Sequence, residues 1–128
     1  MEVESLVHPT IYAAQVLRGD HVVNDRVRLA CERHMHDLER DDIYFDQAEF
    51  VRLGKFISGL EVADGHELTG QQMVMLPWQS FLISSVLCWK FKETKGIRYK
   101  IAFLEVARGA GKSTMMGVLM LYVSRYWE

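Results

Sequence analysis

Residues 109–114 combine side-chain types that bind the phosphate groups of a nucleotide. The small residues of this stretch let backbone N–H groups approach a phosphate, because a bulky side chain would hold the main chain away. Lys112 would place a positive charge on the β- and γ-phosphates, and the hydroxyl of Ser113 would be a ligand of Mg²⁺. The predicted phosphate-binding loop consists of Gly109, Ala110, Gly111, Lys112, Ser113 and Thr114.

Such a loop needs a strand before it and a helix after it, and the sequence predicts both. Residues 101–106 form a short apolar run with β-branched and aromatic side chains, which is typical of a buried strand. Residues 115–127 contain no glycine or proline after Gly117 and predict a helix. A helix that begins at about Lys112 would point its unpaired N–H groups and positive dipole end at the same phosphates.

The match to the pattern G-x-x-x-x-G-K-[ST] is incomplete, because Val106 occupies the position of the first glycine. The alternative interpretation is a glycine-rich turn that binds no ligand. The preceding strand and the following helix favour nucleotide binding. We therefore predict an α/β fold with the three-layer sheet of P-loop nucleotide triphosphatases, incomplete in this chain and preceded by a helical N-terminal segment.

Composition narrows the class of protein. A chain of 128 residues with 49% hydrophobic content provides the core of one domain. The net charge of −2 gives no global electrostatic case for nucleic-acid binding, so any DNA contact must be local. Cys31 and Cys88 lack metal or redox spacing and are expected to be reduced core residues of an intracellular protein. No signal peptide or apolar run of about eighteen residues is present, so we expect neither secretion nor a membrane span.

A complete P-loop ATPase also needs a second apolar strand that ends in an acidic residue and holds Mg²⁺ through water. No such strand follows Ser113 in this sequence. We therefore expect the chain to be the front part of a larger protein or the product of a truncated gene. As an isolated piece it is expected to self-associate through its exposed apolar helix face and to show at most marginal ATPase activity.

Three helices are predicted in the first sixty residues. Pro9 lies in the first turn of one helix that ends at Gly19, Asn24 or Asp25 caps the second, and Asp46 caps the third. The second helix has an apolar stripe and a mixed-charge face expected to be solvated. That face comprises Arg26, Arg28, Glu32, Arg33, Asp37, Glu39 and Arg40. His34 and His36 point to different faces of this helix, so a metal site with Cys31 is not expected.

The remaining segments are predicted as follows. Residues 62–72 form a loop that divides a helical segment, 1–61, from the start of the ATPase domain, 62–128. Residues 73–76 are a short extended piece, and Pro77 begins an apolar helix through Trp89 that should pack against the sheet. Residues 90–100 form a basic turn around Lys95 and Gly96. It is expected to be solvated, and a DNA-facing loop is the alternative.

Two motifs occur together in a way that resembles a known family. Leu76-Pro77-Trp78-Gln79 lies upstream of the stretch from Ala107 to Ser113, and the combination resembles the large terminase subunit of tailed bacteriophages. The resemblance also covers residues 27–34, the predicted helix of residues 50–60 and the apolar strand before the loop. It therefore spans nearly the whole chain.

The resemblance implies a function and a set of site residues. The family's large subunit is an ATP-driven motor that packages viral DNA, with an N-terminal ATPase domain and a C-terminal nuclease. It implies ATP and Mg²⁺ as cofactors, with Arg108 engaging the γ-phosphate and Gln79 contacting adenine. The implied partners are double-stranded viral DNA, the terminase small subunit and the portal or procapsid, in a homo-oligomeric motor of the bacterial cytoplasm. Family loops often depart from the full glycine pattern, so Val106 fits the resemblance.

Two other functions stay open. A different P-loop enzyme, such as a helicase-like ATPase or a nucleotide kinase, would carry the same lysine and serine but would not need the Pro77-Trp78-Gln79 motif. A non-catalytic remnant of a decayed prophage is the other possibility.

Overall fold

The structure is a computed structural model that describes residues 6–60, 75–102 and 112–126. This part of the chain is mostly helical, with one small antiparallel sheet. In chain order its elements are α1 (Pro9–Arg18), α2 (Asp25–Asp37), β1 (Ile43–Phe45), α3 (Gln47–Ser58), α4 (Pro77–Cys88), β2 (Trp89–Phe91) and α5 (Lys112–Tyr126).

The starts of the first three helices, and the end of the first, agree with the predictions from the sequence. α1 ends at Gly19, whose φ of 96° is in the left-handed region that glycine adopts without strain. The Asn24 side chain accepts a hydrogen bond from Val27 N at 2.9 Å and caps α2. The Asp46 side chain accepts one from Glu49 N at 3.1 Å and caps α3. Each cap satisfies a backbone donor that the helix itself leaves without a partner.

A short sheet joins the chain before α3 to the chain after α4. β1 and β2 are antiparallel, with Tyr44 opposite Lys90 and Phe45 opposite Trp89. After β2 the chain turns back through Lys95, whose φ is 59°, and Lys90 forms an isolated bridge with Ile97. The predicted turn in residues 90–100 is therefore present, whereas β1 was not predicted because a three-residue strand is too short to show a period.

Two apolar clusters form the core of the described residues. The first joins α3, α4 and α5 and includes Leu53, Ile57, Leu87, Val118 and Tyr122. The second joins α1 and α2 and includes Tyr12, Ala13, Val16 and Cys31, together with Phe81 of α4. α4 thus packs on both sides, and its neighbours are α1, α3, α5 and β2. Among the described residues its partners are helices and this short strand, where the sequence predicted a parallel sheet.

The described residues establish a mixed α/β chain that is mainly helical. α5 begins at Lys112, as predicted. Ile101 and Ala102 lie in no strand, and Ile101 is 89% exposed. The rest of the predicted strand, residues 103–106, and the predicted loop at 62–72 lie outside the described residues. The three-layer sheet stays a prediction.

Candidate functional site

The predicted phosphate site lies at the N-terminal end of α5. Lys112 and Ser113 form the first turn of this helix, and the next residue, Thr114, is exposed. Arg108, Gly109, Ala110 and Gly111 lie outside the described residues. The helix that the predicted site requires therefore begins at the required residue and exposes the side chain of Thr114 there.

Gln79 lies in the first turn of α4, where its side chain has a structural role. Its Oε1 accepts a hydrogen bond from Leu76 N at 3.0 Å, which satisfies a backbone donor at the start of the helix. Pro77 occupies the first turn, as predicted. Trp78 is half-buried and packs against the α1–α2 cluster, so its ring is an anchor of that core.

A buried network of polar side chains links α5 to α3. The carboxylate of Glu49 is only 1% exposed, and the Tyr122 hydroxyl donates a hydrogen bond to its Oε2. Arg52 Nε lies 3.0 Å from both Glu49 Oε2 and the Tyr122 hydroxyl oxygen. The Arg52 guanidinium also lies over the Tyr126 ring, 4.8 Å from its centroid.

β2 contributes a cation to the same network. Lys90 Nζ lies 2.6 Å from Asp46 Oδ2 and 3.2 Å from Glu49 Oε1. Burial alone would raise the pKa of Glu49, but the hydrogen bonds from Tyr122 and Arg52 and the charge of Lys90 outweigh it and lower that pKa. Glu49 is therefore ionised in the folded protein, because its buried charge is compensated on both oxygens.

A second buried carboxylate, that of Asp37 in α2, forms an ion pair with Arg98 in the chain after β2. Asp37 is 4% exposed, and Arg98 Nη1 donates to its Oδ2. The prediction that Asp37 belongs to the solvated face of α2 is therefore wrong. The reason is that Arg98, distant in sequence, provides a counter-charge that offsets the free-energy cost of burying this carboxylate.

His34 of α2 is buried, and its side chain contacts α1, α4 and β2. Its Nε2 lies 2.8 Å from Thr10 Oγ1, and its ring packs edge-on against Phe81 and Trp89. Burial, which disfavours the charged imidazolium, lowers the pKa of His34 to about 4. His36 is exposed, so the two histidines face opposite ways, as predicted. Within residues 6–60, 75–102 and 112–126, no three His, Cys, Asp or Glu side chains come together as a metal site.

The cysteines are core residues, as predicted. Both are buried, and burial raises the pKa of Cys31 to about 11 and raises that of Cys88 further still. Thiols in such surroundings stay protonated and unreactive at neutral pH.

The Glu49 network is the feature that the sequence did not reveal. Glu49 and Arg52 have the i, i+3 spacing of a helical ion pair, which is a weak local signal usually found on exposed faces. Tyr122 lies within the predicted helix of residues 115–127, and nothing near it in sequence indicates a carboxylate partner. Only the packing of α5 on α3 brings the three groups together.

Comparisons of the chain with protein-family models, curated proteins and solved structures give no match. In the part of the chain that the structure describes, no helix is both long and apolar enough to cross a membrane.

Proposed function

We propose that this chain binds Mg²⁺–ATP at the N-terminal end of α5 and provides the ATP-binding part of a terminase-like DNA-packaging ATPase. One structural observation supports the proposal most. α5 begins at Lys112, directly after the glycine-containing stretch of residues 109–111, and runs without a break to Tyr126. A helix that starts at this lysine directs its first backbone N–H groups away from the helix at its N-terminal end, where a phosphate can accept hydrogen bonds from them.

The residues present fit the phosphate part of the ligand. The first helical N–H groups and the Lys112 ammonium would hold the β- and γ-phosphates, and the Ser113 hydroxyl would hold Mg²⁺. The bound Mg²⁺ would neutralise charge on the phosphates. Arg108 would engage the γ-phosphate by the family resemblance. Thr114 is exposed, so a ligand can reach the first turns of the helix.

Gln79 fits the adenine role in a restricted way. A carboxamide can accept from the N6 amino group of adenine and donate to N7. In this chain Oε1 already accepts from Leu76 N, which fixes the orientation of the carboxamide. An adenine contact would therefore be made by a side chain that the start of α4 holds in place.

The remaining assignments rest on the same resemblance. Double-stranded viral DNA, the terminase small subunit and the portal or procapsid are the proposed partners, and the bacterial cytoplasm is the proposed location. Within the described segments, the exposed lysines next to the turn after β2 are accompanied by Asp41, Asp42 and Glu93, so this surface carries both signs of charge.

The test is ATP binding by the chain and by Lys112→Ala, measured by titration calorimetry with Mg²⁺ present. We expect the variant to bind about 2 kcal/mol more weakly, because charge-assisted hydrogen bonds have that magnitude. Lys100→Ala removes an exposed lysine outside the site and is the control. Ser113→Ala should weaken the dependence on Mg²⁺. Equal affinities of the wild type and Lys112→Ala would contradict the proposal.

A further inference from the structure

α5 is held against the core by two kinds of contact. Met115, Val118 and Tyr122 are buried on one face of the helix, at spacings of three and four residues. The burial of Met115 and Val118 determines which face of α5 lies against the core, and the hydrophobic effect behind it is non-directional. The Tyr122 hydroxyl is directional, because it donates to Glu49 Oε2 and accepts from Arg52 Nε at 3.0 Å.

The acceptor of this hydrogen bond is itself fixed. Glu49 lies in the first turn of α3 and is bonded on its other oxygen by Lys90 of β2. Lys90 also bonds Asp46, the residue that caps α3. The position of the Glu49 carboxylate is thus set jointly by a helix, its cap and a strand.

We propose that Tyr122 and Glu49 are positioning residues for the ATP phosphates, because their hydrogen bond sets the axial position of α5. This inference rests on the proposed function. A continuous helix moves along its axis as one body, so a shift at Tyr122 reappears as a similar shift of the backbone at Lys112. Phosphate contacts depend steeply on donor position, so a small shift weakens them.

The first experiment compares ATP affinities of Tyr122→Phe and Val118→Ala at a temperature where both variants are folded. Tyr122→Phe removes only the hydroxyl, and Val118→Ala destabilises the same buried face without removing a directional contact. We expect about tenfold weaker ATP binding in Tyr122→Phe and wild-type affinity in folded Val118→Ala. Equal affinities in the two variants would overturn the inference.

A second experiment separates positioning from stability and from the proposed function. In a protein that already carries Lys112→Ala, adding Tyr122→Phe should cause little further loss of ATP affinity. The reason is that the contact positioned by Tyr122 is already gone. Glu49→Gln keeps an oxygen acceptor for the Tyr122 hydroxyl, so it should bind ATP more tightly than Glu49→Ala. If Lys112→Ala leaves affinity unchanged, the proposed function fails. If Lys112→Ala weakens binding while Tyr122→Phe does not, only the positioning role fails.

A different observation concerns a small cavity between α2 and α4. Its volume is about 10 Å³, close to the minimum that holds one water molecule. Two buried polar atoms of its lining residues, His34 Nδ1 and Ser85 Oγ, have no hydrogen-bond partner among the described residues. A buried polar group without a partner costs free energy, and a water that reaches both would remove that cost.

We infer that this cavity binds one water molecule that bridges His34 Nδ1 and Ser85 Oγ. A crystal structure of the chain tests this directly. We expect a density peak within about 3.2 Å of both atoms, and its absence in Ser85→Val, where an added methyl group occupies the space. A dry cavity in the wild type would overturn the inference.

Discussion

Acidification should weaken the fold through His34. The structure buries this ring to 2% exposure and lowers its pKa to about 4, against about 6.5 in an unfolded chain. Between these two pH values His34 is therefore neutral in the folded state and protonated in the unfolded state. Stability from this group is fully present above pH 6.5 and is lost as the pH falls toward 4.

The expected size follows from the two pKa values. Between them the free energy of unfolding should fall by about 1 kcal/mol or slightly more per pH unit. From pH 7 to pH 5 the loss should be about 2 kcal/mol. Asp37 on the same helix favours the charged imidazolium, but it is itself paired with Arg98. Burial therefore decides the direction of the shift.

Urea unfolding at pH 7, 6 and 5 measures this loss. His34→Gln keeps a polar side chain that can bond Thr10 and should flatten the dependence, whereas His36→Gln changes an exposed histidine of the same helix and should leave the slope unchanged. The carboxylates of Asp46 and Glu49 have lowered pKa values and should contribute only at more acidic pH. Equal slopes in the wild type and His34→Gln between pH 7 and pH 5 would refute the reasoning.

Two further predictions concern stability at neutral pH, each measured by urea unfolding. Asp37→Ala should cost about 3 kcal/mol, because it leaves the mostly buried Arg98 cation without its counter-charge. The double variant Asp37→Ala, Arg98→Met should cost clearly less than the sum of the two single changes, and additivity would contradict the pairing. Asn24→Ala should cost about 1 kcal/mol through loss of the α2 cap. Asn24→Asp keeps an oxygen acceptor and should cost much less; equal losses in the two variants would argue against the cap.

Local signals in the sequence predicted most of the helices. A helix cap depends on residues within about three positions of the helix start, so Asp46 was predicted from its type and its position before an apolar stripe. For α2 the same signal left Asn24 and Asp25 as alternatives, and the structure has Asn24 as the cap. Gly19 was recognisable for the same reason, since an L side chain is strained at its positive φ. Pro77 likewise indicated the start of α4.

Partners distant in sequence account for the parts that were missed. β1 has three residues, and its pairing with β2 depends on a long connection that includes α3 and α4. Asp37 was predicted to be solvated because the pattern of polar and apolar residues along α2 shows only that its side chain is polar. The cation that allows its burial lies beyond α4, at Arg98. The assignment of a charged residue to a core therefore requires knowledge of its counter-charge.

In the candidate site, too, features set by local sequence were predicted and features set by distant partners were not. The start of α5 at Lys112 follows from local signals and was predicted. The Tyr122 hydrogen bond to Glu49 depends on the packing of α5 on α3 and could not be predicted from either segment alone.

The basic stretch after α4 illustrates how internal pairing changes a functional interpretation. By composition, residues 90–100 were predicted to be a solvated basic turn, with a DNA-facing loop as the alternative. Lys90 bonds Asp46 and Glu49, and Arg98 bonds Asp37, so these two cations neutralise buried carboxylates of α2 and α3 and the cap of α3. They hold β2 and the turn after it against the helices. The paired carboxylates largely compensate the positive charges of Lys90 and Arg98, so these two residues add little positive charge to the protein surface. A nucleic-acid contact here would depend on the exposed lysines alone, and acidic residues adjoin them. The charge of this segment is thus better explained by the fold than by a DNA partner.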